Sequence, residues 1–216
     1  GGEAKALTSF PEGGISSMKW SPDGKSLAVE FREAHPDWTK EAEKHRKEND
    51  LSTPPWVIDT PFYRLDGDGM FGGQRGAIYI VDVATGKHRK VYSGGPFGFY
   101  SYDWAPDSKL RAVAHRTMKK PWKEKPQSAI FLVDLKGKVK KLASGGEGHA
   151  NLAFSPDGKS LAYTAQTQTE GAWGSYNQRV WVVHLDGSGS RCLTENEDYC
   201  FEAATLSDTK EFSSSG

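Results

Sequence analysis

The stretch Trp20-Ser21-Pro22-Asp23-Gly24-Lys25-Ser26-Leu27-Ala28-Val29 returns as Phe154-Ser155-Pro156-Asp157-Gly158-Lys159-Ser160-Leu161-Ala162-Tyr163. A worn copy, Trp104-Ala105-Pro106-Asp107-Ser108-Lys109-Leu110, stands between them. An aromatic residue, a tight turn and a short apolar run thus occur three times in one chain. Repetition at a fixed period restricts the chain to architectures in which each unit buries its apolar face against its neighbours.

The flanking segments repeat as well. Short strand ends at Leu7-Thr8, Val91-Tyr92, Leu142-Ala143 and Leu193-Thr194 precede the turns or the positions where turns fall due. Apolar runs at 77–83, 129–135 and 180–185 precede the last three of these. Each run is β-branched or aromatic, lacks a helical period and is followed by a turn containing glycine, which predicts buried strands. Val91 to Leu142 and Leu142 to Leu193 are both 51 residues. Leu7 to Val91 is 84 residues, one period with 33 to spare. Each unit reads as four short antiparallel strands, and pattern and period together predict an all-β chain, a β-propeller of about three to four blades. One propeller segment is expected over 1–216, with an insertion at about 31–75. Both ends are expected to cut a blade, with a fourth unit's turn degraded to Leu206-Ser207-Asp208-Thr209. Open terminal blades are expected to expose edges suited to self-association.

The charges balance, 28 basic against 28 acidic, so bulk charge does not recruit a nucleic acid. No apolar run approaches the ~20 residues of a membrane span. Six scattered histidines and two cysteines show no metal-ligand spacing, and no motif calls for a cofactor. Cys192 and Cys200 admit either a disulfide across adjacent strands or two thiols, and the compartment stays open between cytoplasm and export.

Function is expected in the insertion, because long connections between propeller strands lie on a face of the disc. The part from His35 to Asp50 is rich in Glu and Lys and reads as a short exposed helix with Asp37 as its N-cap. The part from Leu51 to Gly73 carries Tyr63, Arg64, Asp66 and Asp68. Asp66-Gly67-Asp68-Gly69 lacks the further oxygen ligands of a calcium loop and reads as a turn. The connector 111–128, with Trp122 among lysines, reads as a solvated loop, and 164–178, with Trp173 and Tyr176, is a third loop. Gly94-Gly95 and Gly145-Gly146 recur at equivalent positions and read as turns. Trp20, Trp104 and Phe154 are expected to pack between blades.

Ser-Pro-Asp-Gly-Lys followed by Leu-Ala resembles the propeller repeat of TolB-type proteins and of the prolyl oligopeptidase clan. Trp56-Val57-Ile58-Asp59-Thr60-Pro61-Phe62-Tyr63-Arg64-Leu65-Asp66-Gly67-Asp68-Gly69, leading into Ile78-Tyr79-Ile80-Val81-Asp82-Val83, resembles the acylaminoacyl-peptidase branch of that clan. The resemblance implies an N-terminal propeller that gates peptide access to a C-terminal α/β-hydrolase domain. The 216 residues contain no Gly-x-Ser-x-Gly nucleophile elbow, so no catalytic residue is assigned and the segment is expected to be inactive alone. Tyr63, Arg64 and Asp66 are the candidate substrate-binding residues, with an Arg–Asp pair that merely pins the insertion as the alternative. A TolB-type module that binds a protein or peptide without a catalytic partner is the second functional reading.

Overall fold

The computed structural model describes residues 3–66, 68–167 and 176–201. The first unit comprises strands β1 (Gly13–Trp20) and β2 (Ser26–Glu33), then helix α1 (Lys40–Glu48) and the two-stranded hairpin β3 (Arg64–Leu65) and β4 (Gly69–Met70), then β5 (Ala77–Asp82) and β6 (His88–Tyr92). The second comprises β7 (Ser101–Trp104), β8 (Leu110–Arg116), β9 (Ser128–Asp134) and β10 (Val139–Leu142). The third comprises β11 (Glu147–Phe154), β12 (Ser160–Gln166), β13 (Gln178–His184) and β14 (Ser190–Cys192). Each unit is one four-stranded antiparallel sheet in chain order, with the small hairpin as a separate sheet. These are propeller blades, and the described residues close no ring. The apolar runs form β5, β9 and β13; β5 and β9 are mostly buried on both faces, which explains their unbroken hydrophobicity, whereas β13 is half-buried along most of its length and buries Val183.

Cores lie between blades. Ala28, Ile78 and Ile80 of blade one meet Tyr102, Trp104 and Val113 of blade two. Ala112, Ala114, Ile130 and Leu132 of blade two meet Leu152, Leu161, Tyr163 and Val183 of blade three. Polar contacts join the inner strands: the amides of Leu152 and Phe154 donate to Ser101 Oγ (3.2 Å) and Asp103 Oδ2 (2.9 Å), each 51 residues back. Trp104 donates its indole N–H to the Lys19 carbonyl (3.2 Å), so this aromatic packs between blades as expected.

The repeated turns have one construction. In the first, Gly24 N donates to Ser21 O (2.9 Å), Ser21 Oγ donates to Asp23 Oδ1 (2.6 Å), and Lys25 N donates to the same carboxylate (3.1 Å). In the third, Gly158, Ser155, Asp157 and Lys159 repeat every one of these bonds. Glycine takes φ of 68° and 69° there, whereas the worn copy forces Ser108 to 61°. The aspartates' pKa values at 23 and 157 fall, first through the serine hydroxyl and then through the lysine amide.

Arg111 breaks the repeat. It occupies the place of Leu27 and Leu161 and is 1% exposed. Its Nη2 donates to the Asp134 carbonyl and its guanidinium lies 5.0 Å from the Trp104 ring. Nε and Nη1 have no hydrogen-bond partner among the described residues, and burial pulls its pKa down to about 10. Unpaired buried donors cost about 1–3 kcal/mol, and apolar replacements of similar volume often stabilise. Arg111→Leu is therefore expected to raise stability by about 1–2 kcal/mol, seen as a later denaturant midpoint at unchanged m-value. An earlier midpoint would refute this.

Three expectations change. Residues 3–12 hold no strand, so Leu7-Thr8 is not a paired strand end. Its place in the repeat survives: a side chain on Gly86 would meet the Leu7 carbonyl at 2.3 Å, as one on Gly137 would meet the Val91 carbonyl at 3.3 Å. Trp20 is 58% exposed, because the described residues place no sheet on its side of blade one; only Phe10 lies over that face, against Phe31 and Tyr79. The helix begins later than expected, with Thr39 rather than Asp37 as N-cap; Thr39 Oγ1 accepts from Ala42 N. Asp37 instead sits in a 3-10 turn, Pro36–Trp38, imposed by Pro36. The turn expected at 206–209, and Trp173, lie outside the described residues.

Candidate ligand-binding face

Antiparallel order puts the Ser-Pro-Asp-Gly turns on one face of the disc. The β2–β5, β8–β9 and β12–β13 connections and the β6–β7 and β10–β11 loops lie on the other. The insertion rises from this second face. Its helix buries no residue and is held at its edges. Trp38 stacks on Trp56 at 4.8 Å with the rings nearly parallel, Lys47 pairs with Glu43 (2.7 Å), and Lys40 N donates to Glu12 Oε2 (2.8 Å).

Arg75 ties the rest down. It donates to four carbonyls: Nε to Pro96 (2.7 Å), Nη1 to Gly72 (3.0 Å) and Gln74 (3.0 Å), and Nη2 to Phe62 (2.8 Å). A planar fork with five donors suits carbonyls converging from two loops. Burial lowers its pKa, an effect opposed by Asp59. Phe62 packs on Phe71, Phe97 and Phe99 around it. Arg32 of β2 lies 2.5 Å from both carboxylate oxygens of Asp68, beyond the hairpin's first strand. Arg32 also covers the Phe71 ring at 4.6 Å.

The three residues singled out in the sequence fall unequally. Tyr63 is half-buried, and its carbonyl accepts from Phe71 N and Gly72 N at the base of the hairpin. Arg64 and Asp66 project into solvent at the hairpin tip, 3.9 Å apart, with Asp66 fully exposed. The Arg–Asp pair that pins the insertion is Arg32–Asp68, an arrangement no local spacing announces. Cys192 and Cys200 stand as thiols rather than a bridge, and Cys200 Sγ accepts from Gln178 N (3.3 Å). The lysine loop folds on itself, with Lys119 N and Lys120 N donating to Glu124 and Trp122 half in solvent. Among the described residues no three His, Cys, Asp or Glu side chains gather to hold a metal.

Two of the clefts on this face bring titratable side chains together. The first, about 260 Å³, lies between β1 and the insertion and is lined by Ile15, Glu30, Arg32, Asp68 and Phe99 together with glycines. Gly76 and Gly98 approach so closely that a side chain on Gly76 would meet the Gly98 carbonyl at 2.3 Å. Glu30 is 5% exposed. Ser17 Oγ donates to it (3.0 Å), and burial raises its pKa against that bond. Nothing in the β2 pattern marked Glu30; its partners come from β1 and from the entrance to β7.

The second cleft, about 380 Å³, lies between blades two and three and is lined by Phe99, His115, Arg116, His149 and Gln178. His149 Nδ1 lies 2.6 Å from Ser128 Oγ, and its Nε2 faces the Gly145 carbonyl at 3.2 Å. A carbonyl only accepts, so Nε2 carries the proton and Nδ1 faces the Ser128 hydroxyl as an acceptor, sharing that hydroxyl with Glu147 Oε2 (3.1 Å). Glu147 Oε2 accepts the Ser128 amide (2.8 Å). Serine, histidine and carboxylate meet, but the carboxylate contacts the serine rather than orienting the histidine. Ser128 Oγ also accepts from Gly148 N and His149 N. This is a structural knot and not a nucleophile with its base. Burial, with Arg116 and Lys141 adding to it, pulls the His149 pKa down to about 4.

Superposed on solved structures, the chain matches Pyrococcus horikoshii acylaminoacyl peptidase with a TM-score of 0.59, over 84% of this chain and 25% of that one, at 16% identity. An acylaminoacyl peptidase in complex with Z-Gly-Gly-Phe-chloromethyl ketone matches with a TM-score of 0.61, over 85% and 25%, at 14% identity. The fold is that of a β-propeller, as in these peptidases. The propeller's sequence is also 31% identical over 93 residues to the uncharacterized peptidase YuxL of Bacillus subtilis (strain 168), covering 43% of this chain and 14% of that protein. No family model matches. The propeller thus spans a quarter or less of the length of these relatives.

Proposed function

We propose that this chain is the non-catalytic propeller segment of an acylaminoacyl-peptidase-like serine peptidase, and that it gates peptide access to an α/β-hydrolase domain carried by the same gene. The observation that supports this most is the insertion itself. Its sequence resembles that peptidase branch, and Arg75 and the Arg32–Asp68 pair hold it over clefts on one face of the disc. A rigid, cleft-bearing rim selects ligands by size and exposed backbone. The reading expects a Gly-x-Ser-x-Gly elbow in the coding sequence beyond residue 216. It also expects hydrolysis of acyl-peptide substrates by the full gene product and none by the purified 216-residue chain. An open reading frame without the elbow, or turnover by the short chain, would sink it.

A further inference from the structure

The first cleft holds a carboxylate without a counter-ion. Among the described residues no cation pairs with Glu30. The basic side chain in the cleft lining, Arg32, is spent on both oxygens of Asp68. Arg75, at the foot of the insertion, faces carbonyls and Asp59. With these pairs set aside, Glu30 is a carboxyl group of the cleft lining that has no cation beside it among the described residues. Its walls, Ile15 and Phe99, are apolar, and both side chains are about half exposed, at 53% and 45%. Glycines 14, 76 and 98 leave room along the floor, and Glu30 Oε1 lies 3.7 Å from where a Gly76 side chain would begin.

From this arrangement we infer that the cleft binds the ammonium group of a peptide, with Glu30 as its carboxylate partner and Ile15 and Phe99 against the adjoining carbon chain. The volume of about 260 Å³ is below the usual range for drug-sized ligands, so it takes one residue and not a long segment. A charged hydrogen bond made away from water is the strong kind. Other groups facing the carboxylate are Ser17, which lies between it and the Tyr102 hydroxyl (3.1 Å), and the backbone at Tyr100. Both tyrosines are held protonated by burial, Tyr102 near about 12, so they supply no competing negative charge. Burial raises the Glu30 pKa, and an ammonium beside the carboxylate draws it back down, so binding is expected to weaken as pH falls and Glu30 takes up a proton. Nothing in this requires the hydrolase partner, and binding to the 216-residue chain tests it separately from peptidase activity.

The test is calorimetric titration of the whole 216-residue chain with three peptides. Ac-Ala-Lys-Ala-amide offers a side-chain ammonium, Ala-Ala-Ala-amide an α-ammonium, and Ac-Ala-Ala-Ala-amide neither. At least one charged peptide is expected to bind tenfold or more tightly than the neutral one, and the pair decides which source fits. Glu30→Gln keeps the shape and is expected to remove the difference. Equal binding of all three overturns the inference, as does full selectivity in E30Q. If E30Q does not fold, the wild-type chain decides through pH. A preference for the charged peptide that weakens from pH 7 to pH 5 upholds the assignment to Glu30, and a preference that does not change with pH overturns it.

Discussion

Arg75→Ala is expected to free the insertion from the disc while leaving the sheets standing. The variant loses four charged hydrogen bonds, to Phe62, Gly72, Gln74 and Pro96, and leaves four carbonyls to find water. It also removes the cation that lies between the Phe62 and Phe71 rings at 5.4 and 5.7 Å. Bonds from a charged donor contribute about 1.5–3 kcal/mol each where buried. Partial exposure and shared geometry bring the group to about 3 kcal/mol in all. That figure belongs to local opening, since the inter-blade cores do not include the insertion. An opening equilibrium shifted by this much raises the open population about a hundredfold. Limited proteolysis should then cut within residues 51–74 about a hundredfold faster, with a much smaller change in global unfolding. Arg75→Lys keeps the charge but not the fork and should open nearly as readily. Cleavage of R75A at the wild-type rate would show that the aromatic cluster alone holds the insertion.

The second large effect is a loss of stability in mild acid, centred on His149. Its folded pKa is depressed to about 4 and its unfolded value is the ordinary 6.5. The folded imidazole stays neutral while the unfolded one takes up a proton. The stabilisation is therefore complete above about pH 6.5 and drains away as pH falls toward 4. The full swing is about 3 kcal/mol, or one proton taken up on unfolding. His115 is depressed in the same direction by burial. Glu30 acts the other way, since its raised pKa adds stability as pH falls. The His149 share is isolated by comparing denaturant midpoints of wild type and His149→Gln from pH 7 to pH 4. The gap between the curves should shrink toward acid. Parallel curves would mean that His149 is not the titrating group.

Much of the fold could be read before any coordinates, and the reason is physical. Strand positions depend on local alternation and turns, and Ser-Pro-Asp-Gly carries its hydrogen bonds within six residues. The runs at 77–83 and 129–135 are apolar because both faces are covered, which leaves a mark in sequence. The functional face left few such marks. Tyr63, Arg64 and Asp66 stood out as a string, yet the hairpin turns Arg64 and Asp66 to solvent. The residues that position the insertion, Arg32, Asp68 and Arg75, meet only in three dimensions, and Arg75 looks like any charged residue beside glycine. Glu30 carries no mark in the sequence, and only its burial against Ser17 and the β7 entrance gives it chemistry. The helix boundary was misplaced because Asp37 is a good cap by residue type, while Pro36 had already committed it to a tighter turn.

The bonds from Leu152 and Phe154 to Ser101 and Asp103 span one period of the chain and no more. Each blade therefore finds its docking surface in the unit translated just before it. Assembly can follow the order of emergence from the ribosome, with no blade waiting for a distant partner. The enlarged first period stretches that interval only once, where Trp104 must reach back 85 residues to the Lys19 carbonyl. Loop-closure entropy grows slowly with length, so this longest wait adds less than about 1 kcal/mol to the closure of blade two on blade one.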